Sequence, residues 1–285
     1  MTAPVPAPQA ADELAARDGL LFVGTATVLL RHGGLTLLTD PNFLHRGQWA
    51  HLGWALRSRR RTDPAIEPEQ VPTPDAVVLS HLHGDHFDRV ARARLGLQDQ
   101  GVPVVTTPQS ARCLERERFT TAPLEPWQDW STTTPAGRIT VTSVPGRHAP
   151  GAMQRVLPTV MGSVIELAPT SGRPLRAYVT GDTLLVPELA EVTERFPDLD
   201  LVLLHLGGTR VLGIKVTMDG EDGVDLLELL RLGPRTTAVP VHYDDYGLFR
   251  SPLSEFLDAV ARRHLQAKVQ PVARGELLPT TVVLP

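Results

Sequence analysis

The chain has 285 residues, of which 42% are hydrophobic and 21% charged, and its net charge is −4 at pH 7. This composition is typical of a globular protein with a substantial core, and the negative charge argues against a general nucleic-acid-binding protein, which is usually basic. The single cysteine, Cys113, excludes an intramolecular disulfide bond and a structural zinc site built from cysteines.

The first elements along the chain are predicted to be an arm and three strands. Residues 1–17 are rich in Pro and Ala, which indicates a flexible arm ahead of one domain over residues 18–285. Residues 20–41 predict three short strands, and Gly33 and Gly34 predict the turn between the second and the third. The sheet is therefore antiparallel where it begins.

The segment 42–74 predicts a long irregular loop, and loops of this length tend to be functional or disordered. Its arginine cluster, between Arg57 and Arg61, is interpreted either as a site for an anionic head group or as a solvated stretch. The role of the loop and of its arginines is left open by the sequence.

Strands and helices alternate over the rest of the chain, which predicts an α/β fold with mixed sheets. No internal repeat is present. Strands are predicted at 75–80, 102–107, 138–145, 159–169, 175–183, 199–208 and 236–246, and helices at 88–97, 108–118, 187–196, 219–233 and 251–264.

The stretch "LSHLHGDHFD", residues 79–88, follows a predicted buried strand and is unusually rich in histidine. In extended backbone the side chains of His81, His83 and Asp85 point to one face, and Gly84 is expected to let the chain turn so that His86 joins them. Imidazole and carboxylate groups are preferred ligands of divalent transition metals. The spacing suits two adjacent ions, with His81 and His83 on the first and Asp85 and His86 on the second.

Three more candidate ligands stand at other predicted strand ends. They are His148 in "VPGRH", Asp182 in "VTGDT" and His242 in "VPVH". Open α/β sheets place their sites at the carboxyl ends of strands, so these groups are expected to meet the first four. Asp40 ends the third strand and is interpreted either as a hydrogen-bond acceptor for a ligand imidazole or as a turn residue.

With these motifs the chain resembles the metallo-β-lactamase superfamily, and within it the branch of ascorbate-6-phosphate lactonases and N-acylphosphatidylethanolamine phospholipase D. The resemblance implies a four-layer αββα sandwich. It implies that His81, His83 and His148 bind one metal ion, that Asp85, His86 and His242 bind a second, and that Asp182 bridges them. Redox-active diiron members carry Glu where this chain has His83, which favours hydrolysis. The main class of zinc β-lactamases has a Cys ligand that is missing here, so antibiotic hydrolysis is not expected.

The predicted function is a metal-dependent hydrolase in which two divalent ions activate a hydroxide for attack on a phosphodiester, a lactone or another ester. Zinc is the first expectation for both ions, with manganese or iron as alternatives. Asp85 is predicted to orient the hydroxide, and Tyr243 and His205 are candidate substrate contacts. For each of these two, core packing is the competing interpretation.

Lys215 and Arg147 are candidate contacts for an anionic group, while Asp219 is predicted to cap a helix.

The alternative is a metal-binding sensor or scaffold of the same fold without catalysis. A nuclease is disfavoured by the negative charge and by the roughly sixty residues between Asp182 and His242, where RNA-cleaving members usually have an insertion. The expected partner is a small-molecule or phospholipid-like ester and no nucleic acid. No signal peptide or transmembrane segment is predicted, and the expected location is cytoplasmic. The sequence does not predict the substrate or the oligomeric state.

Overall fold

The structure is a computed structural model that describes residues 17–53 and 56–283. The arm predicted for residues 1–17 lies, except for its last residue, outside the described residues. The prediction of one domain over residues 18–285 stays a prediction. None of the described helices is long and apolar enough to cross a bilayer.

The described residues contain seventeen strands and six α-helices. The strands are β1 Gly19–Gly24, β2 Thr27–His32, β3 Leu35–Thr39, β4 Trp49–His51, β5 Arg57–Arg59, β6 Ala76–Val78, β7 Val104–Thr106, β8 Thr121–Pro123, β9 Asp129–Thr134, β10 Gly137–Pro145, β11 Met161–Pro169, β12 Leu175–Val179, β13 Leu201–His205, β14 Arg210–Val211, β15 Ile214–Lys215, β16 Thr237–Val241 and β17 Leu277–Pro279. The helices are α1 Arg89–Arg94, α2 Pro108–Arg116, α3 Glu191–Arg195, α4 Gly220–Leu230, α5 Leu253–Arg262 and α6 Thr280–Val283.

Two large mixed sheets form the centre. The first has the strand order β17-β1-β2-β3-β6-β7-β8, and the second has the order β16-β13-β12-β11-β10-β9. The first sheet is antiparallel from β17 to β3 and parallel from β3 to β8. The second is parallel from β12 to β16 and antiparallel from β12 to β9.

Alternation along the strands produces the layers, because successive side chains point to opposite faces of a sheet. In β1, Leu20 and Phe22 pack into the core between the two sheets, whereas Leu21 and Val23 pack on the other face with residues of α1 and α2. The outer face of the second sheet is covered by α4 and α5 in the same way. The predicted four-layer αββα sandwich with mixed sheets is confirmed.

The segment 42–74 differs from its prediction, because it is not wholly irregular. β4 and β5 pair as an antiparallel hairpin, and a short 3₁₀ helix spans Pro68–Gln70. Each strand of the hairpin has only three residues and buries only its middle side chain. Such a short element carries too little periodicity to be recognised. The short strands β8, β14, β15 and β17 escaped prediction for the same reason.

Candidate metal centre

The seven predicted ligands come together at the carboxyl ends of strands from both sheets. The loop after β6 contributes four of them, and segments after β10, β12 and β16 contribute one each. All are nearly inaccessible to solvent. They are His81, His83, Asp85, His86, His148, Asp182 and His242.

One group of ligand atoms is made of three imidazoles. His81, His83 and His148 each offer a ring nitrogen, and these atoms lie within 4.8 Å of one another. The Nε2 atom of His81 is 2.9 Å from the Nδ1 atom of His83. His148 donates its Nδ1 proton to the carbonyl oxygen of Val216 at 3.0 Å, which leaves its Nε2 atom with a free lone pair.

A second group of ligand atoms is made of Asp85, His86 and His242, again within 4.8 Å of one another. Asp182 lies between the two groups: its carboxylate is 3.4 Å from a ring nitrogen of His86 and 3.4 Å from one of His242. It also belongs to a set with His81 and His86. This intermediate place is the one that a bridging carboxylate requires.

Asp40 lies behind this second group. Its carboxylate accepts hydrogen bonds from the backbone nitrogen and the hydroxyl of Ser80, at 2.8 and 2.9 Å, and is 3.4 Å from Nδ1 of His86. Burial raises the pKa of Asp40, but the neighbouring imidazoles of His86 and His205 outweigh it, so that the pKa falls to about 2. Asp40 is therefore an ionised partner of a candidate ligand, which favours the first of its two interpretations.

The electrostatics of the cluster keep most imidazoles neutral and the carboxylates charged. Burial, assisted by neighbouring imidazoles, lowers the pKa of His81 well below its usual value and that of His83 to about 3. Burial raises the pKa of Asp182, but the charges of His242 and His86 lower it well below its usual value. Burial lowers the pKa of His86, but the nearby carboxylates outweigh burial and raise the pKa well above its usual value. A metal ion at His86 therefore competes with a proton. Neutral imidazole and ionised carboxylate are the forms that bind metal ions.

The ligand set fits divalent cations because its buried atoms lack other partners. Buried polar groups in proteins are nearly always hydrogen-bonded, so a cluster of exceptions calls for an explanation. Coordination by nitrogen and oxygen donors supplies one, and these donors suit zinc, manganese or iron. The buried ligand atoms without a hydrogen-bond partner are His83 Nε2, Asp85 Oδ1, His86 Nε2, Asp182 Oδ1 and both ring nitrogens of His242.

Two residues of the cluster and its surroundings have strained backbone conformations. His242 and Asp40 adopt left-handed conformations, with φ of 61° and 37°. Such conformations persist where the surroundings enforce them, and here the backbone nitrogen of His242 donates to the carbonyl oxygen of Thr25 at 2.7 Å. The chain turns at Gly84 as predicted, and glycine is required there because a Cβ atom would lie 2.7 Å from backbone atoms of His51.

A buried arginine, which the sequence did not indicate, lies behind the loop after β6. Arg60 is fully buried, donates to the carbonyl oxygen of Asn42 at 3.0 Å and pairs with Asp245 at 3.3 Å. The side-chain amide of Asn42 donates to the carbonyl oxygen of Gly84 at 2.9 Å. Arg60 therefore differs from Arg59, which is exposed and stacks on a tryptophan ring.

The predicted catalytic residues lie in three different settings. Asp85 belongs to the ligand cluster. His205 is buried behind it, with Nε2 3.6 Å from the carboxylate of Asp40, and its role as a substrate contact stays a prediction. Tyr243 is not brought to the cluster: its ring lies 6.2 Å from that of Phe22, and it lines a separate cleft.

The two candidate anion contacts, Lys215 and Arg147, are engaged elsewhere. Lys215 pairs with Asp219 at 2.9 Å, and Arg147 pairs with Glu188 at 3.4 Å. The predicted cap is confirmed, because Asp219 caps α4.

A family model described as the β-lactamase superfamily domain matches residues 36–243, a range that includes every candidate ligand and Asp40. The chain belongs to this superfamily. The narrower resemblance to lactonases and phospholipase D is not tested by this match and stays a prediction.

Relatives in two distant organisms support the predicted class of enzyme. A protein of Carboxydothermus hydrogenoformans named a metal-dependent hydrolase is 28% identical over 260 residues, which cover 91% of this chain and 98% of that protein. A protein of Archaeoglobus fulgidus with the same name is 27% identical over 263 residues, covering 90% and 96%.

Solved structures share the fold at low identity. An isothiocyanate hydrolase from Delia radicum gut bacteria superposes with a TM-score of 0.74 at 21% identity, covering 91% of this chain and 98% of that one. CmlA, a diiron β-hydroxylase from Streptomyces venezuelae, superposes with a TM-score of 0.65 at 15% identity, covering 97% and 62%. Hydrolases and a hydroxylase thus share this architecture, and the chemistry must be argued from the residues of the site.

Proposed function

We propose that this protein is a hydrolase that uses two divalent metal ions. The observation that carries the proposal is the cluster of buried ring nitrogens and carboxylate oxygens without hydrogen-bond partners. His81, His83 and His148 would hold the first ion, and Asp85, His86 and His242 the second. Asp182 would contact both ions. Zinc is the first choice, with manganese or iron as alternatives.

Bound divalent ions supply a Lewis acid and lower the pKa of coordinated water toward neutrality. The side chains of the protein position the remaining components. Asp85 lines the cavity that leads to the cluster, where its carboxylate can accept a hydrogen bond from the attacking water and so orient it. Asp40 orients His86, and the carbonyl oxygen of Val216 orients His148. The bond broken is that of a phosphodiester, a lactone or another ester.

The test combines metal content with turnover. Elemental analysis of the purified protein is expected to find two divalent ions per chain, and turnover of generic esters or phosphodiesters is expected to disappear with a chelator and return with zinc, manganese or iron. Asp182→Asn is expected to lose turnover and at least one ion. His45→Gln, which changes a histidine outside the cluster, is expected to retain both.

Each other outcome has a distinct meaning. A folded protein that binds no divalent ion would contradict the proposal. A protein that binds two ions but hydrolyses nothing across a broad panel would instead support the non-catalytic sensor or scaffold.

A further inference from the structure

A narrow cavity opens onto the candidate ligands, and apart from these ligands its lining is almost entirely apolar. His83, Asp85, His148 and Asp182 line its inner end. Seven of the other eight lining residues are Leu, Val or Phe, and the eighth is Thr209. The volume is about 30 Å³, which is room for little more than a water molecule. Any substrate that enters must be slim or must displace the apolar rim.

The cavity offers no cationic side chain to a charged substrate. No lysine or arginine lines it, and the residues that the structure does not describe contain neither. The proposed ions would add positive charge only at the inner end of the cavity, where the carboxylates of Asp85 and Asp182 also lie. Phosphate groups are usually recognised by guanidinium forks or ammonium groups, and burying an anion without them is costly.

Among the residues that the structure describes, Thr209 is the one lining side chain that can hydrogen-bond a neutral substrate without being a candidate ligand. Only 9% of it is exposed, and its hydroxyl has no hydrogen-bond partner. Its backbone is fixed on both sides, since its nitrogen donates to the hydroxyl of Thr217 at 2.8 Å and its carbonyl oxygen accepts from Val216 at 2.9 Å. A buried hydroxyl without a partner is unfavourable, and a bound ester oxygen would satisfy it.

We propose that the substrate is a small uncharged carboxylic ester or lactone with an apolar substituent, and that the hydroxyl of Thr209 donates a hydrogen bond to its ester group. This inference rests on the proposed hydrolase function and narrows its substrate class. It disfavours the phosphodiester and phospholipid-like substrates that the sequence left open.

The reaction is balanced with water as the only co-reactant. The oxygen of water forms a bond to the carbonyl carbon, and the bond from that carbon to the alkoxy oxygen breaks. One proton of the water goes to the alcohol that leaves, and the other is released from the new carboxylic acid. The product carboxylate is charged in an apolar cavity beside Asp85 and Asp182, which favours its departure.

The first experiment compares two esters that differ only in charge. The metal-loaded protein is assayed with 4-nitrophenyl valerate and with mono-4-nitrophenyl glutarate, in which a carboxylate replaces the terminal methyl, after subtraction of the uncatalysed rates. A kcat/KM at least about tenfold higher for the neutral ester is expected, because a buried unpaired charge is costly. Equal or faster turnover of the glutarate, or KM for bis(4-nitrophenyl) phosphate below that for the valerate, would overturn the inference while leaving the hydrolase function intact.

The second experiment tests Thr209 with variants of matched size. Thr209→Val keeps the shape and removes the hydroxyl, so kcat/KM for the valerate is expected to fall by about three- to tenfold, the range of one hydrogen bond. Thr209→Ser keeps the hydroxyl and is expected to restore most of the loss. An unchanged kcat/KM in Thr209→Val, or a kcat/KM in Thr209→Ser as low as that of Thr209→Val, would contradict the assigned contact.

A binding measurement covers the case in which no substrate is hydrolysed. Calorimetry with acetophenone, a neutral ketone that cannot be cleaved, is expected to show binding to the metal-loaded protein and weaker binding to Thr209→Val. If acetophenone binds but no substrate is hydrolysed, the hydrolase function is contradicted, while the inference that the cavity takes neutral ligands is supported. If acetophenone does not bind, or binds Thr209→Val equally well, the inferred neutral substrate and its contact with Thr209 are contradicted.

Discussion

Asp40 lies outside the candidate ligands but directly contacts one of them, His86. Its carboxylate lies 3.4 Å from Nδ1 of His86 and 3.6 Å from Nε2 of His205, and it also accepts two hydrogen bonds from Ser80. A carboxylate beside one ring nitrogen fixes the proton there and leaves the other nitrogen free for a metal ion. In His86 that other nitrogen is the one without a hydrogen-bond partner.

Asp40→Asn is predicted to weaken metal binding without unfolding the protein. Asparagine tolerates the left-handed backbone of Asp40, where φ is 37°, but it lacks the charge that holds His86. Loss of such a partner typically lowers metal affinity by about 10- to 100-fold. Competition with a chromophoric chelator measures the change. Asp258→Asn, at an exposed position of α5, is the control, and an unchanged affinity in Asp40→Asn would mean that Asp40 only terminates its strand.

Tyr243→Phe is predicted to leave turnover unchanged within about twofold, because substitutions away from a site are usually nearly neutral. The phenol lies outside the cavity that contains the ligands, and burial raises its pKa to about 12. Steady-state kinetics on the best available substrate provides the measurement. A tenfold fall in kcat with KM unchanged would show that the phenol acts in the reaction after all.

At the scale of elements, the β4–β5 hairpin and the loop after β6 form one supported unit. The nitrogen of Gly84 donates to the carbonyl oxygen of His51 in β4 at 2.8 Å. Directly after β5, Arg60 reaches Asn42 and Asp245, and Asn42 in turn holds Gly84. The hairpin thus fixes the turn between His83 and Asp85, on which the distance between the two groups of ligands depends.

Arg60→Met is predicted to destabilise the protein by about 1–3 kcal/mol, because it removes a buried donor to Asp245 and to the carbonyl oxygen of Asn42. Both Arg60 and Asp245 are inaccessible to solvent, and Arg274, 3.1 Å from Asp245, still offsets part of its charge. Arg59→Met is the matched control and should cost about 1 kcal/mol or less, the size of an exposed cation–π contact. Urea denaturation of the metal-free proteins distinguishes the two. Equal stability of the two variants would contradict a structural role for the Arg60 pair.

At the scale of the whole molecule, the geometry of the candidate metal centre depends on the packing of the two sheets. The first sheet supplies the loop after β6, and the second supplies the segments after β10, β12 and β16. The core between the sheets joins side chains such as Leu37 of β3 and Ile165 of β11. A change in this packing would move one set of ligands against the other.

Ile165→Ala is predicted to destabilise the protein by about 2–5 kcal/mol, the usual cost of a large cavity in a core. Ile165 is 0% exposed in the layer between the sheets. Leu212→Ala removes similar volume at a position that is 96% exposed and should be nearly neutral. Thermal and urea denaturation provide the test. A small effect of Ile165→Ala would show that the interface between the sheets adapts easily.

The sequence by itself determined an α/β fold with mixed sheets and which residues gather at the candidate centre, while the four layers were expected from the family resemblance. The alternation of strand and helix patterns along the chain is a local signal. The histidines from His81 to His86 follow a strand without interruption, and Asp182 and His242 also stand just past strand ends. A local pattern of this kind needs no knowledge of distant segments.

Only the tertiary structure decided the burial and pairing of residues whose partners lie far along the chain. Arg60 looks like its exposed neighbours in sequence, and its burial depends on Asp245, which lies 185 residues away. Tyr243 directly follows His242, yet its side chain packs away from the cluster. The three-residue strand β17 forms because it pairs with β1 at the other end of the chain. Burial and pairing of such groups are settled by the free energy of the assembled fold, and short segments carry no local signal of it.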